Sequence, residues 1–297
     1  MSNLTEFIDL AKKGKNDWWR YLISLFFILF LPAFLFIPIY ILFSILGLDI
    51  VSPRTGMEGV FSLLGTNIYY CCLLLSFYIS LRIFHNRKFK TVVTSHSKFR
   101  FKRFFSGFFA WSLVLTLFLL IDLYFDPHSY KLNFKMPEFL MLFLVSLATT
   151  PIQAGFEEIF FRGYALQAIN LITNKRIYPV IITSIIFATG HWGNGTSLVA
   201  NLDIFIDTLI YALIASIITL TDGGLEAVIG IHTANNLFSE VIVSSSYYMP
   251  LPSIFISAEL PEPLFQLLFS LLSSALLIFI LYRKNWNKLS TTLHKLF

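Results

Sequence analysis

The sequence predicts an all-α protein, a polytopic transmembrane helix bundle of about eight spans with both termini cytoplasmic. Three observations predict it: the composition, a series of long uncharged runs, and the placement of the basic residues. Of 297 residues, 56% are hydrophobic and 13% charged, with 33 Phe, 13 Tyr and 5 Trp, whereas soluble domains carry about 25% charged residues. A water-facing surface cannot absorb that apolar excess, so the side chains must face lipid.

A bilayer core about 30 Å thick is crossed by about 20 apolar helical residues. Uncharged runs of that order extend over 21–48, 59–81, 104–121, 139–156 and 263–282. Between 177 and 243 the runs are shorter and are broken by His191, Asp203, Asp207, Asp222, Glu226, His232 and Glu240; three further spans are expected at about 177–191, 200–220 and 225–243. Pro32, Pro38 and Pro151 fall within spans and are expected to kink their helices. The first span is too long for a signal-peptide core and is expected to remain as an anchor.

Cytoplasmic loops keep an excess of Lys and Arg. With eight spans, one side collects 19 of the 22 basic residues, leaving Arg54, Lys131 and Lys135 opposite. Seven spans would strand the C-terminal cluster outside. The chain divides into 1–138, three helices with a basic cytoplasmic loop at 82–103; 139–243, a core rich in intramembrane charge; and 244–297, an outer loop, a last span and a basic tail. The loops 49–57, 126–137 and 244–262 are expected to be short caps. Segment 82–103 holds eight basic residues, no acidic ones and the interleaved Phe89, Phe99 and Phe101, which reads as a membrane-surface amphipathic segment meeting anionic headgroups rather than a nucleic-acid site. Cys71 and Cys72 read as packed or lipid-facing thiols, with no disulfide framework. His85, His96, His128 and His294 are expected to have solvent or interface roles.

Ionisable groups at bilayer depth cost several kcal/mol each and mark functional sites by default. Three clusters qualify. In Glu157-Glu158-x-x-x-Arg162, Glu158 and Arg162 share a helix face while Glu157 points about 100° away, so one carboxylate is neutralised and its neighbour left free. Phe187-x-x-x-His191 ends the next span. In His232-x-x-x-Asn236 the two polar groups again share a face, able to stabilise an oxyanion or to ligate a metal. A Glu shielded from bulk water can take a proton from water and return it to a leaving amine. The set therefore points to peptide hydrolysis within a membrane cavity. Rival protease chemistries find no support: HExxH, GxSxG and GxGD patterns are absent. Asp203 and Asp207 read as cavity-hydrating or capping residues.

Carried by these motifs in this order, the chain resembles the CPBP family of CAAX proteases and bacteriocin-processing enzymes over about 139–243, and Gly223-Gly224-Leu225-Glu226-Ala227 is similar to the family's approach to its last His. The resemblance implies an intramembrane endopeptidase, in a bacterial plasma membrane, acting on a prenylated CAAX-type or hydrophobic peptide substrate. Glu157 would activate water with help from His191, His232 and Asn236 would support the oxyanion, and Glu158 and Arg162 would hold the site. Asn235 is a competitor for the role of Asn236. The family's metal question stays open: Glu157, His191 and His232 are the candidate ligands for zinc. Two alternatives stand beside the protease. One is a non-catalytic self-immunity or scaffold protein; the other is a proton-coupled transporter, against which the lack of inverted repeats argues.

Overall fold

The computed structural model describes residues 7–52, 56–195, 197–246, 250–257 and 263–296. The loops expected at 49–57 and 244–262, with Arg54, therefore lie partly outside the described residues. Helices occupy each of the expected runs: α1 (Trp18–Ile45), α2 (Gly56–Ile83), α3 (Phe101–Phe125), α4 (Met136–Glu158), α5 (Ile177–Gly190), α6 (Leu198–Asp222), α7 (Glu226–Leu237) and α8 (Pro263–Tyr282). The tail adds α9 (Trp286–Leu296), bent by 120° from α8. Five helices, α1, α2, α3, α4 with its extension to Asn170, and α6, are long and apolar enough to cross a bilayer, and a sixth joins them when Gln266–Tyr282 and α9 are taken as one bent span. Their outward faces, such as Leu22, Phe26, Phe34 and Ile41 on α1, expose large apolar side chains to lipid. This is an integral membrane protein.

The interrupted region departs from simple spans. The 14 residues of α5 rise about 21 Å at 1.5 Å per residue, short of a bilayer core. Over its first nine residues α7 is buried on every side, packed among α3, α4 and α6; it is a core helix, which explains why its sequence shows no lipid-facing stripe. Small residues let it sit there. A Cβ on Gly230 would lie 2.1 Å from the Phe104 carbonyl oxygen, and one on Gly107 would lie 2.2 Å from that of Ala227, so the α3 and α7 backbones touch. The helices run through Pro32, Pro38 and Pro151 without interruption.

The described N- and C-terminal segments lie at one end of the bundle, as the charge distribution predicts. Arg20 Nη1 donates to the Phe84 carbonyl (2.7 Å), Arg176 reaches Asp9 (3.7 Å), and Lys288 approaches Asp222 (3.6 Å). The 82–103 segment is no free surface strap, however. Glu226, fully buried at the start of α7, receives Arg100 Nη2 (2.7 Å), Arg100 Nε (3.1 Å) and Thr94 Oγ1 (2.9 Å). Asp222 receives Arg103 and Tyr282, and Gly223, at φ +70°, turns the chain between the two acids. The buried acids demand cations, and the basic segment folds onto the turn to supply them. His85 likewise departs from a solvent role. It is fully buried between Ser24 and Tyr164 on Nε2 and the Lys15 carbonyl on Nδ1, and burial pushes its imidazole below the usual range.

At the opposite end the chain departs from all-helical caps by forming a small sheet. β3 (Phe255–Ser257) lies between β1 (Tyr130–Leu132), antiparallel with Tyr130 opposite Ser257, and β2 (Val243–Ser245), parallel with Val243 opposite Phe255. Three-residue strands gather the ends of α3, α7 and the last outer loop.

Two substitutions check this packing. Gly230→Ala forces the α3 and α7 backbones apart and should destabilise the protein by about 1–3 kcal/mol, while Gly155→Ala, whose Cβ would meet only Ile229 at 3.9 Å, should be neutral; unfolding titrations in mixed micelles compare them. Arg100→Ala strands the buried Glu226 and should cost about 3 kcal/mol in the same titration.

Candidate active site

The Glu157-Glu158 pair closes α4, which continues without a break into a π-helical segment, Ile159–Ala165, and a last turn, Leu166–Asn170. Such wider turns recur at functional sites. Glu158 is fully buried and Arg162 is 1% exposed. As the i, i+4 spacing predicts, Arg162 Nη1 donates to Glu158 Oε1 at 3.1 Å. The same oxygen accepts His232 Nδ1 from α7 (2.8 Å) and the Tyr211 hydroxyl from α6 (3.0 Å). Three helices are thereby tied to one carboxylate oxygen. The Arg162 guanidinium also lies over the Phe187 ring, 4.0 Å from its centroid, which gives the Phe of the second motif a physical task.

Glu157 is placed differently. The Tyr70 hydroxyl on α2 donates to its Oε1 at 2.7 Å, and its Oε2 faces His232 Nε2 at 3.7 Å. That separation exceeds a direct hydrogen bond and suits a water bonded to both atoms. A carboxylate oxygen only accepts, so His232 Nδ1 carries a hydrogen and Nε2 is the nitrogen turned to Glu157.

His191 follows α5. Its Nδ1 donates to the Phe187 carbonyl (2.8 Å), which leaves Nε2 for the site. The turn beyond it is pinned by Asn201, whose Oδ1 accepts from the Gly193 (2.9 Å) and Gly195 (3.0 Å) amides. His191, His232, Tyr211 and Asn236 line a cavity of about 180 Å³ among α3, α6, α7 and α8, whose other walls include Trp111, Ile214, Phe269 and Leu277. Asp207, bonded to Ser270, forms part of the same wall. Glu157, Glu158 and Arg162 lie behind His232 and do not line this cavity. The structure thus brings Glu157, Glu158, Arg162 and His232 into direct contact and places His191 and Asn236 on the cavity wall beside them. Asn235 lines the same cavity. Its Oδ1 accepts from the Trp111 indole (3.1 Å) and its Nδ2 points to Asn236 Oδ1 at 3.4 Å, an arrangement that turns the Asn236 amide N–H groups outward.

Two buried atoms at the centre, Glu158 Oε2 and Arg162 Nη2, have no partner among the described residues; orphaned polar atoms of this kind usually meet water or a ligand. Among the described residues no group of three or more His, Cys, Asp or Glu side chains is arranged to hold a metal ion. Glu157, His191 and His232 are not placed as such a set. Tyr70 and Tyr211 were invisible in the sequence, where nothing set them apart from the other tyrosines; only their helices' packing brings them to the carboxylates.

Residues 136–238 match the family model of type II CAAX prenyl endopeptidase Rce1-like proteins. Over 254 residues the chain is 30% identical to an uncharacterized protein, YyaK, of Bacillus subtilis (strain 168), an alignment that covers 82% of this chain and 84% of that one. No solved structure matches the chain. The matched segment encloses all three motifs, from Glu157 to Asn236, and with a relative aligned along most of the chain, the protein belongs to the Rce1-like family of CAAX-type intramembrane proteases.

Proposed function

We propose that this protein is an intramembrane endopeptidase that hydrolyses a peptide bond of a membrane-associated substrate, a CAAX-type prenylated tail or a hydrophobic peptide, with Glu157 as the base that activates water. The observation that carries this reading is the division of labour between neighbouring carboxylates. Glu158 is committed on Oε1 to three donors, whereas Glu157 keeps Oε2 open towards His232 Nε2.

The chemistry follows from those positions. A water held between Glu157 Oε2 and His232 Nε2 loses a proton to Glu157 as its oxygen attacks the scissile carbonyl carbon. The resulting oxyanion is met on the cavity side by the Asn236 amide, while His232 Nε2, which carries no hydrogen in this tautomer, accepts from the attacking water. Protonated Glu157 then delivers its proton to the departing amine, restoring the carboxylate. Glu158 and Arg162 take no part in the proton transfers; they hold His232 in the tautomer and orientation the attack requires, as a buried carboxylate does for an imidazole elsewhere in hydrolysis. Tyr70 fixes the Glu157 carboxylate so that only one oxygen is free. The apolar wall of Trp111, Ile214, Phe269 and Leu277 suits a hydrocarbon chain or an apolar side chain.

Three outcomes are expected from the purified protein in detergent with quenched peptides, prenylated and unprenylated. Glu157→Gln should lower kcat by about 10²–10⁴-fold, the usual loss when a general base is removed; cleavage equal to wild type would sink the mechanism, and biological function surviving without any cleavage would favour a scaffold. Tyr70→Phe should lower kcat about ten-fold with KM little changed, the cost of one hydrogen bond to a charged group. A zinc chelator should leave the rate unaltered, since the side chains converge without a ligand set.

A further inference from the structure

At the basic end of the bundle, away from the carboxylates, the segment that joins α2 to α3 encloses a cation with no counter-ion among the described residues. Arg87 is 2% exposed. Its Nη2 donates to Gln167 Oε1 (2.6 Å) and its Nε to Thr91 Oγ1 (3.2 Å), both neutral acceptors, and Nη1 is buried with no partner among the described residues. The chain has gone to some length to bury it: a Cβ on Gly14 would lie 2.2 Å from Arg87 Cγ, so the N-terminal segment closes directly over the side chain. A buried cation without an anion is costly, and elsewhere in this protein the buried and half-buried arginines are matched to acids, Arg162 to Glu158, Arg100 to Glu226 and Arg103 to Asp222.

The place where that anion would sit is open. Arg87 lines a groove of about 340 Å³ together with Lys13, Lys88, Lys90, Thr91 and Ser95, and no carboxylate is among its described lining residues. Three ammonium groups and a guanidinium N–H line it with no acid among the described residues, the donor set that receives phosphate; the Thr91 and Ser95 hydroxyls are already given to the Lys88 and Gly223 carbonyls. Its level in the membrane fits as well. Trp18 and Trp19, exposed at the start of α1, mark the interfacial belt in which indole rings settle, and the groove lies between the segment just before α1 and the residues just after α2. We propose that this groove is a binding site for a phosphate group, presented by an anionic phospholipid of the adjoining leaflet or free in solution, with Arg87 as its buried anchor.

Such a site has a structural consequence. Gln167 Nε2 donates to the Thr91 carbonyl (3.0 Å), and a Cβ on Gly163 would sit 2.2 Å from the Val92 carbonyl oxygen. The phosphate would therefore brace the segment that backs the helical extension carrying Arg162. The binding itself rests on nothing in the protease reading.

Thermal unfolding of the detergent-purified protein, titrated with phosphatidylglycerol, phosphatidylcholine or inorganic phosphate, tests it. Phosphatidylglycerol should raise the midpoint where phosphatidylcholine does not. The doubly substituted Lys88→Ala/Lys90→Ala protein, which loses two exposed cations, should need about thirty-fold more lipid for the same rise, given about 1 kcal/mol per basic residue near an anionic surface. Lys13→Ala alone should need about five-fold more. Arg283→Ala/Lys284→Ala, removing equal charge elsewhere at the same end, should titrate like wild type. A midpoint raised equally by inorganic phosphate assigns the free anion as the source. No rise with either phosphate compound, or Lys88→Ala/Lys90→Ala and Lys13→Ala titrating like wild type, overturns the proposal.

Discussion

The pairing of Glu158 with Arg162 is the interaction on which the rest depends. A bare carboxylate in hydrocarbon surroundings costs several kcal/mol, and a guanidinium four residues further along the same helix is the shortest route to neutralising it. Once that pair is buried, its other valences must be met as well. The Tyr211 hydroxyl and the His232 imidazole occupy the same oxygen, and Phe187 covers the guanidinium face. The positions of α5, α6 and α7 against α4 are in this way set by a single carboxyl group. Its neighbour inherits a defined environment because Glu158 has absorbed the cation. Removing either member of the pair would leave an uncompensated charge in the interior, which is why such pairs specify one arrangement of helices even where their net contribution to stability is small.

The same rule organises the basic end. Asp222 and Glu226 flank the turn into α7, and each draws an arginine out of a segment that would otherwise lie in the headgroups. The helix bearing His232 is thus fixed at its beginning by ion pairs and along its length by backbone contact with α3. Position and orientation come from different forces: charge sets where α7 starts, and the small side chains of Gly107 and Gly230 set how deeply it sits.

What could be read from the sequence follows from which interactions are local. Arg162 reaching Glu158, and His232 and Asn236 facing one way, are consequences of helical periodicity and need no tertiary knowledge. The long spans were equally legible, since hydropathy records contact with lipid. Contacts between distant segments were not. Tyr70 and Tyr211 are two of 13 tyrosines with nothing in their flanks to single them out. The basic segment at 82–103 carries the same composition whether it lies on lipid or folds onto Glu226, because composition does not say which anion a cation will meet. The short sheet escaped notice because strands of three residues leave no period to detect. His85 looked like a loop residue and is instead walled in by the N-terminal segment and Tyr164.

The brevity of α5 has an effect beyond architecture. A helix of 14 residues rises about 21 Å and falls short of a bilayer core about 30 Å thick, with His191 just beyond its end. Its outward residues, Ile181, Ile182, Ile185 and Ile186, are apolar and exposed. A substrate anchored in the same leaflet approaches such a wall by lateral diffusion in two dimensions, without ever entering water. For a reaction of that kind the operative concentration is moles of substrate per mole of lipid. Adding inert lipid would slow turnover even at constant volume, a surface-dilution behaviour foreign to enzymes that draw from solution.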